Sequence, residues 1–217
     1  MINSLWISKT GMEAQQMQLD VISNNLANVS TNGFKKSHAV FEDLMYQNLR
    51  QVGSSTSEQS TLPTGLQVGL GVRTVATSRN FSQGNLQQTG NNLDVAIQGN
   101  GFYQLTMPDG TLGYTRDGAF QVDNQGRLVT ASGLPIANSI TIPANALSVS
   151  VGADGAVTAS VPGSVTPQSV GTIALVSFIN PAGLEPKGQN VYTESVASGQ
   201  PNSGTAGSNG LGSLMQG

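Results

Sequence analysis

The chain contains no cysteine and few charged residues, and both shortages exclude functions. Its 217 residues include no Cys and a single His, which rules out disulfides, thiol nucleophiles and zinc sites built on cysteine. Charged residues make up 10% of the chain, and the formal net charge is −3. A nucleic-acid-binding surface needs clustered Lys and Arg to release counterions. The nine Lys and Arg here are scattered, so no nucleic-acid partner is expected.

Long apolar runs are also missing. No stretch approaches the roughly 18 apolar residues of a membrane-spanning helix, so no membrane insertion is expected. Residues 1–30 have neither the basic start nor the Ala-x-Ala exit of a cleaved signal peptide. The chain is therefore expected to stay in the cytosol or to be exported by a route that cleaves no signal.

The sequence has no recognisable catalytic or metal-binding pattern. The single His38 lies two residues after the Lys35-Lys36 pair, and no Gly-x-Ser-x-Gly nucleophile motif is present. Calcium loops need several carboxylates close together, whereas the aspartates here each stand alone within three residues before a glycine, as in turns: Asp109, Asp117, Asp123 and Asp154. We therefore predict no catalytic, cofactor or metal site, and a protein that is not an enzyme.

The N-terminal segment has the pattern of an amphipathic helix. Apolar residues recur at spacings of three, four and seven, which places them on one helix face: Leu5, Met12, Leu19, Ile22, Leu26 and Val29. We call these six residues the seam, and they predict a helix within residues 1–32 that ends at Asn32-Gly33. A capping-box pattern at Thr10–Glu13 leaves open a separate first turn. The seam needs a partner, either in the same chain or in another subunit.

The rest of the sequence predicts a connector followed by a β domain. In the connector, residues 33–83, an apolar cluster at Val40–Leu49 suggests a second short helix, residues 53–61 are polar, and residues 67–76 suggest a strand. From residue 84 to residue 209, short β-type runs alternate with turn dipeptides every eight to twelve residues, roughly as in multi-stranded β domains. Residues 210–217 are interpreted as a return segment. The predicted fold is mainly β with a long N-terminal α-helix, an extended connector and an irregular multi-hairpin β domain.

One segment resembles a known family. Asp20–Lys35, which reads DVISNNLANVSTNGFK, resembles the N-terminal signature of the bacterial flagellar axial proteins, the rod and hook family. The signature residues are Asn24, Asn25, Leu26, Ala27, Asn28, Thr31, Gly33, Phe34 and Lys35. Within the family, Met1–Gln16 and Tyr46–Pro63 resemble the distal-rod branch, and hook proteins typically lack the second segment. Further similarity lies at Gly99–Tyr103, Tyr114–Gly118 and Ile140–Asn145.

This resemblance implies a structural subunit of the flagellar distal rod, exported through the flagellar type III export apparatus without a cleaved signal peptide. Subunits would stack helically into the hollow drive shaft that crosses the periplasm and outer membrane, carries torque to the hook and forms the export channel. The implied partners are copies of the chain itself, proximal rod and hook proteins at the ends, and the L and P ring proteins around the shaft.

The resemblance also implies roles for the three parts of the chain. The N-terminal helix, 1–32, would line the tube, and the β domain, 84–209, would face outward. The insert 46–63 would order against neighbouring subunits and stiffen the rod. Its candidate residues are Tyr46, Gln47, Arg50, Glu58, Gln59, Leu62 and Pro63.

The sequence departs from the family at its C-terminal end, and other functions remain open. The family ends in a second amphipathic helix, whereas this sequence ends at Gly217 before such a pattern. We therefore expect the 217-residue chain to polymerise poorly. One alternative is another axial protein, from the hook or the proximal rod. A second alternative is a secreted β-rich adhesin or glycan-binding module, although one Trp and four Tyr leave little aromatic surface for sugar stacking.

Overall fold

The computed structural model describes residues 2–52, 55–57, 60–61, 64–138 and 140–217. The chain divides into two compact units. The first, which we call the helical unit, comprises Met1–Val29 and Lys36–Asn80. The second, the β unit, comprises Ser30–Lys35 and Phe81–Gly217.

The helical unit combines one long helix with two-stranded antiparallel ribbons. Its elements are α1 (Ile2–Ala27), β1 (Ser37–Asp43), β2 (Tyr46–Arg50), β3 (Ser55–Ser57), β4 (Ser60–Thr61), β5 (Leu66–Gly69) and β6 (Val72–Arg79). Strand β1 pairs with β6, β2 with β5, and β3 with β4. Helix α1 packs on the ribbon that β1 and β6 form.

Helix α1 confirms the predicted long helix, but its ends differ from the prediction. The helix is continuous from Ile2, so the separate first turn suggested by the capping-box pattern is wrong. It ends at Ala27 and not near Asn32. The backbone N–H and side-chain Nδ2 of Asn28 both donate to the Asn24 carbonyl, at 3.2 and 3.0 Å. These bonds satisfy a carbonyl at the helix terminus and close its last turn. Val29 therefore lies in the turn that follows the helix.

The apolar cluster at Val40–Leu49 forms strands, and the predicted second helix is wrong. Strand β1 pairs along its whole length with β6, from Ser37 opposite Arg79 to Asp43 opposite Val72. The partner strand is rich in β-branched residues, which favour extended backbone. Pairing with β6, a distant strand with high β-propensity, thus outweighs the weak helical pattern of the local sequence.

The β unit contains the remaining strands. They are β7 (Val95–Gln98), β8 (Phe102–Thr106), β9 (Leu112–Thr115), β10 (Phe120–Val122), β11 (Leu128–Thr130), β12 (Ser148–Val151), β13 (Ala156–Ser160), β14 (Gln168–Thr172), β15 (Ala174–Ser177), β16 (Glu185–Gly188), β17 (Val191–Thr193), β18 (Asn202–Thr205) and β19 (Ser213–Gln216). A short 3-10 helix spans Pro181–Gly183. The main sheet has six strands in the order β16-β17-β9-β8-β15-β18. A three-stranded sheet joins β12, β13 and β14, and two ribbons join β10 with β11 and β19 with β7.

The central strands of the main sheet are buried on both faces. Because neighbouring side chains on a strand point to opposite faces, Phe102 and Tyr103 of β8 enter different clusters. Tyr103 belongs to the larger aliphatic core with Leu105 and Leu175. Phe102 belongs to an aromatic cluster, whose other members are Tyr114, Val176, Phe178, Leu184 and Tyr192. The prediction of a mainly β protein with a long N-terminal helix is confirmed.

The last residues of the chain belong to the β unit. Strand β19 pairs antiparallel with β7, from Ser213 opposite Gln98 to Gln216 opposite Val95. Leu211 and Leu214 are buried in the larger core. The side chain of Gln216 donates to the carbonyls of Asn92 and Val149, at 2.6 and 3.0 Å. The structure therefore places these residues, interpreted from sequence as a return segment, in a paired and packed strand.

Candidate assembly surface

The seam, which runs along α1 to Val29 in the turn that follows it, is exposed along its whole length. Leu5 is 71% exposed, Met12 67% and Leu26 70%. Leu19, Ile22 and Val29 are exposed as well. Burial of apolar surface contributes about 25 cal/mol per Å², and side chains that stay in water do not gain this free energy. The helical unit alone leaves this stripe without a cover.

A different face of α1 packs on the ribbon of β1 and β6. Ala14 is buried, and Thr10 and Val21 are half-buried. The Thr10 hydroxyl also accepts a long bond of 3.5 Å from the Val72 backbone N–H. The neighbouring Gly71 has φ +121°, and a side chain there would collide with the Thr10 hydroxyl. One face of the helix is therefore packed inside the helical unit, whereas the seam stays exposed to solvent.

Asn25 joins the family signature to β1. Its side-chain Nδ2 donates to the Ser37 carbonyl at 2.7 Å, and its Oδ1 accepts the Ser37 backbone N–H at 2.9 Å. The carboxamide thus pairs with both backbone groups of one residue, as a neighbouring strand would. An Asp, Ser or Gln at this position would lose a bond or change its geometry.

The second part of the signature, Thr31–Lys35, belongs to the β unit. Phe34 N–H donates to the Thr31 carbonyl at 3.3 Å, and Gly33 has φ +71°. A Cβ on Gly33 would lie 2.8 Å from the Asp117 backbone nitrogen. Glycine is therefore required here both by the left-handed backbone and by this close approach. The Asn190 side chain donates to the carbonyl of Asn32 at 2.8 Å, and this hydrogen bond also stabilises the turn.

Lys35 is a buried cation. Its Nζ donates to the Ser82 carbonyl at 2.8 Å, and only 8% of the residue is exposed. Burial and the nearby Arg116 guanidinium lower the pKa of Lys35 to about 8. Burial also lowers the pKa of Arg116, which donates to the carbonyls of Gly99 and Gly101 and to the Gln83 side chain. The signature lysine thus lies inside the β unit and does not present its charge to solvent.

The insert predicted to stiffen the rod is partly described. Tyr46, Gln47 and Arg50 lie in β2, where all five residues are exposed. Glu58, Gln59, Leu62 and Pro63 lie outside the described residues. The partner strand β5 is also largely exposed, including Leu66 and Val68. A ribbon of two strands is at best marginally stable in water, so this ribbon also needs a surface to pack on.

The aspartates noted in the sequence are turn residues. In each case a carboxylate oxygen accepts a backbone N–H one or two residues ahead, at 2.6–3.1 Å, as in Asx turns: Asp109, Asp117, Asp123 and Asp154. Asp123 additionally pairs with Arg127 at 2.9 Å. Within the described ranges, no group of three acidic, His or Cys side chains could hold a metal ion. His38 is exposed on β1.

The described part of the chain contains no helix that is both long and apolar enough to cross a membrane.

Two residues of the β unit make contacts that the sequence does not indicate. Arg116 falls in a segment that resembles the family, but its sequence neighbours do not indicate that it binds the carbonyls of Gly99 and Gly101. Asn190 contacts Asn32 across 158 positions, and its positive φ of 58° is invisible in a single sequence. Only the tertiary fold brings the partners of these two contacts together.

Comparison with known protein families gives two matches. Residues 5–35, which cover most of α1 and the signature, match the family described as flagella basal body rod protein. Residues 96–159 match the D1 domain of the flagellar hook protein FlgE/F/G family. The exposed helical seam, the signature and the β unit together define a flagellar axial protein.

Individual relatives define the family further. The flagellar basal-body rod protein FlgG of Buchnera aphidicola (subspecies Schizaphis graminum) is 56% identical over 217 residues, which is 100% of this chain and 84% of the relative. The FlgG protein of Borreliella burgdorferi is 44% identical over 219 residues, covering 100% of this chain and 83% of the relative. The flagellar hook protein FlgE of Helicobacter pylori is 44% identical over 138 residues, but these are 63% of this chain and 19% of the relative.

The chain belongs to the family of the flagellar basal-body rod protein FlgG. It is a structural subunit of the flagellar rod and its place is the flagellar basal body. The resemblance to the rod and hook family inferred from the signature is confirmed, as is the rod subunit function.

Proposed function

We propose that this chain polymerises helically with copies of itself into the hollow distal rod, the drive shaft that carries torque to the hook and encloses the export channel. The observation that carries the proposal is the seam, an apolar stripe about six turns long that the helical unit leaves in water. A subunit whose helix is covered only by its neighbours folds completely only in the assembly. The role is structural and not catalytic.

The proposal assigns partners and places to the parts of the chain. The N-terminal helix lines the tube, and the β domain faces outward toward the L and P rings. Proximal rod and hook proteins bind at the two ends of the shaft. The subunit reaches the periplasm through the type III export apparatus without a cleaved signal peptide and assembles across the periplasm and outer membrane.

The seam is tested with two adjacent substitutions to the same residue. Leu19 is 62% exposed and lies in the seam, whereas Asp20 lies outside it. Burial of a leucine side chain against a neighbour contributes about 1.5–3 kcal/mol, and the loss is repeated at every subunit. We therefore expect Leu19→Gln to lower rod assembly and motility well below the level that the unsubstituted chain reaches in cells whose own copy of the gene is deleted, while Asp20→Gln matches the unsubstituted chain. Equal motility of the two variants at equal protein levels would refute the role of the seam.

We further propose that the ribbon of β2 and β5 packs on neighbouring subunits and stiffens the rod. Its support is the exposure of Tyr46 at 55%, Leu49 at 59% and Leu66 at 55%. The double substitution Tyr46→Ser and Leu49→Ser is expected to leave the unassembled subunit soluble but to give flexible or short rods in electron micrographs. Gln47→Ser, on the same strand, is the control. Rods of normal length and straightness from the double variant would contradict the proposal.

A further inference from the structure

Two loops of the β unit together form a small projection, which we call the knob: residues 179–183 and 195–199. Hydrogen bonds join the two loops to each other. The Asn180 backbone N–H donates to the Ser198 carbonyl at 3.3 Å, and the Asn180 side chain donates to the Ala197 carbonyl at 3.0 Å. The Ser195 hydroxyl donates to the Gly183 carbonyl at 2.6 Å. The knob is therefore an ordered part of the fold, although it lies at the surface.

The knob presents two aliphatic side chains to solvent. Ile179 is 94% exposed, and Val196 is fully exposed. All residues of the knob are uncharged. Because hydrogen bonds already fix the two loops, a partner would not have to order them on binding, and the usual entropy cost of ordering a loop is reduced. The knob thus combines apolar surface that gains free energy on burial with a preformed shape.

The β unit also contains an open pocket with a volume of about 390 Å³. Its apolar lining comes from five side chains: Leu93, Val122, Ile142, Leu147 and Val149. Leu147 is 73% exposed and Val122 is 43% exposed, so apolar surface at the pocket stays in water. Asp123 is the charged group among the described lining residues, and it already pairs with Arg127 at 2.9 Å. An uncharged apolar group would therefore fill the pocket without burying an unpaired charge.

The knob and the pocket lie on opposite sides of the main sheet. The first loop of the knob lies between Phe178 and Leu184, which belong to the aromatic cluster on one face. The pocket is lined by Ile142 of the larger aliphatic core and by Leu93, which packs against that core on the other face. The sheet thus separates the knob of a molecule from its own pocket. A knob that meets the pocket of another copy forms a head-to-tail contact, which can extend a helical polymer because each end keeps a free knob or pocket.

We propose that the knob of one subunit docks into the pocket of a neighbouring copy of this chain, with Ile179 and Val196 packing against Leu147 and Val122. The inference rests on the proposed helical polymerisation and adds a contact between β units to the contact through the seam. Stable interfaces use about 20–30 residues on each side, which is more than the knob contains. The contact therefore sets the positions of neighbouring β units and does not hold the polymer together alone.

Cross-linking tests the contact directly, because the chain contains no cysteine and an engineered pair has no background. The full chain with both Ile179→Cys and Leu147→Cys, treated at high concentration with a short bismaleimide, is expected to give a ladder of covalent oligomers on a denaturing gel. Each substitution alone provides one thiol per chain and gives at most a dimer. A double variant that also stops at the dimer, or that forms no covalent product, would overturn the proposal.

Adding Leu19→Gln to the double-cysteine chain separates this contact from the seam. The knob and the pocket both lie in the β unit, whereas Leu19 lies in α1. We expect the ladder to persist in this triple variant. A ladder that disappears would show that the cross-links follow from packing of the seam, and the direct contact would be refuted. A seam that proves unimportant for motility would leave the ladder in place, so the two failures are distinguishable.

A pair of opposite charges tests the same contact in cells whose own copy of the gene is deleted. Ile179→Lys and Leu147→Glu each place an unpaired charge in an apolar contact, and each should lower the number of rods about tenfold. Both changes together place the lysine of one copy against the glutamate of the next and should restore assembly. Val165→Lys, at a fully exposed valine outside the knob, should assemble normally. Normal assembly of the single variants, or a double variant no better than either, would contradict the pairing.

Discussion

Gly118 marks the place in the β unit where two backbone segments approach too closely for any side chain. A Cβ on residue 118 would overlap the Val95 carbonyl oxygen. That carbonyl accepts the buried hydroxyl of Tyr103 at 2.7 Å, and the Val95 N–H donates to the Gly118 carbonyl at 2.9 Å. An alanine at this position must therefore push Val95 away and weaken both bonds.

The expected cost of Gly118→Ala follows from these two bonds. Each buried polar group that loses its partner costs about 1–3 kcal/mol. The lower conformational entropy of the unfolded chain with alanine offsets about 0.4–1 kcal/mol of this loss. The net loss in the free energy of unfolding is then about 1–5 kcal/mol. The total free energy of unfolding of a domain is only about 5–15 kcal/mol. This loss should therefore lower the melting temperature of the β unit by about 10 °C.

Urea unfolding monitored by near-ultraviolet circular dichroism is a suitable assay. Three of the four tyrosines lie in the β unit, and Trp6 lies outside it. Gly84→Ala is the matched control, because nothing lies within 4 Å of a Cβ there and its φ is ordinary. We expect this control to be unchanged or slightly stabilised. A stability of Gly118→Ala within about 0.5 kcal/mol of the control, the usual range for neutral surface changes, would refute the reasoning.

Three further predictions concern single side chains. Tyr103→Phe removes one buried donor to Val95 and should lower the free energy of unfolding by about 1–3 kcal/mol, measured in the same urea titration. Asp117→Asn keeps the acceptor for the backbone N–H and removes a carboxyl whose pKa is raised by burial. Because a raised pKa makes folding less favourable once the carboxyl ionises, the variant should be more stable than the unsubstituted chain at pH 7 and should lose this advantage below the ordinary carboxyl pKa. A stability advantage that persists in acid would contradict this cause. Asn25→Ala removes both bonds to β1 and should cost the helical unit about 1–3 kcal/mol, whereas Asn24→Ala, on the exposed side of the helix, should cost less. Amide exchange in α1 compares the two variants, and equal exchange would count against a stabilising role of the two Asn25 bonds.

Local sequence patterns were sufficient to predict the class of fold, the long helix and the family. The heptad spacing from Leu5 to Leu26 predicts a helix with an apolar stripe, and the turn dipeptides after residue 84 predict short antiparallel strands. These signals are local, because helix faces and tight turns depend on residues a few positions apart. The Asn-rich signature added the family, and the lone aspartates were correctly interpreted as turn residues.

Other features depend on contacts between residues that are distant in the sequence. The pairing of β1 with β6 overrode the weak helical pattern after Val40, because a long-range partner supplied the hydrogen bonds. The turn at Gly33 depends on Asp117 and Asn190, which are distant in the chain and close in space. The charge of Lys35 looks like a solvated surface group in the sequence, but the fold buries it beside Arg116. Whether a polar residue meets water, an oxygen or another charge depends on the whole packed chain, since desolvation is a property of the site and not of the residue.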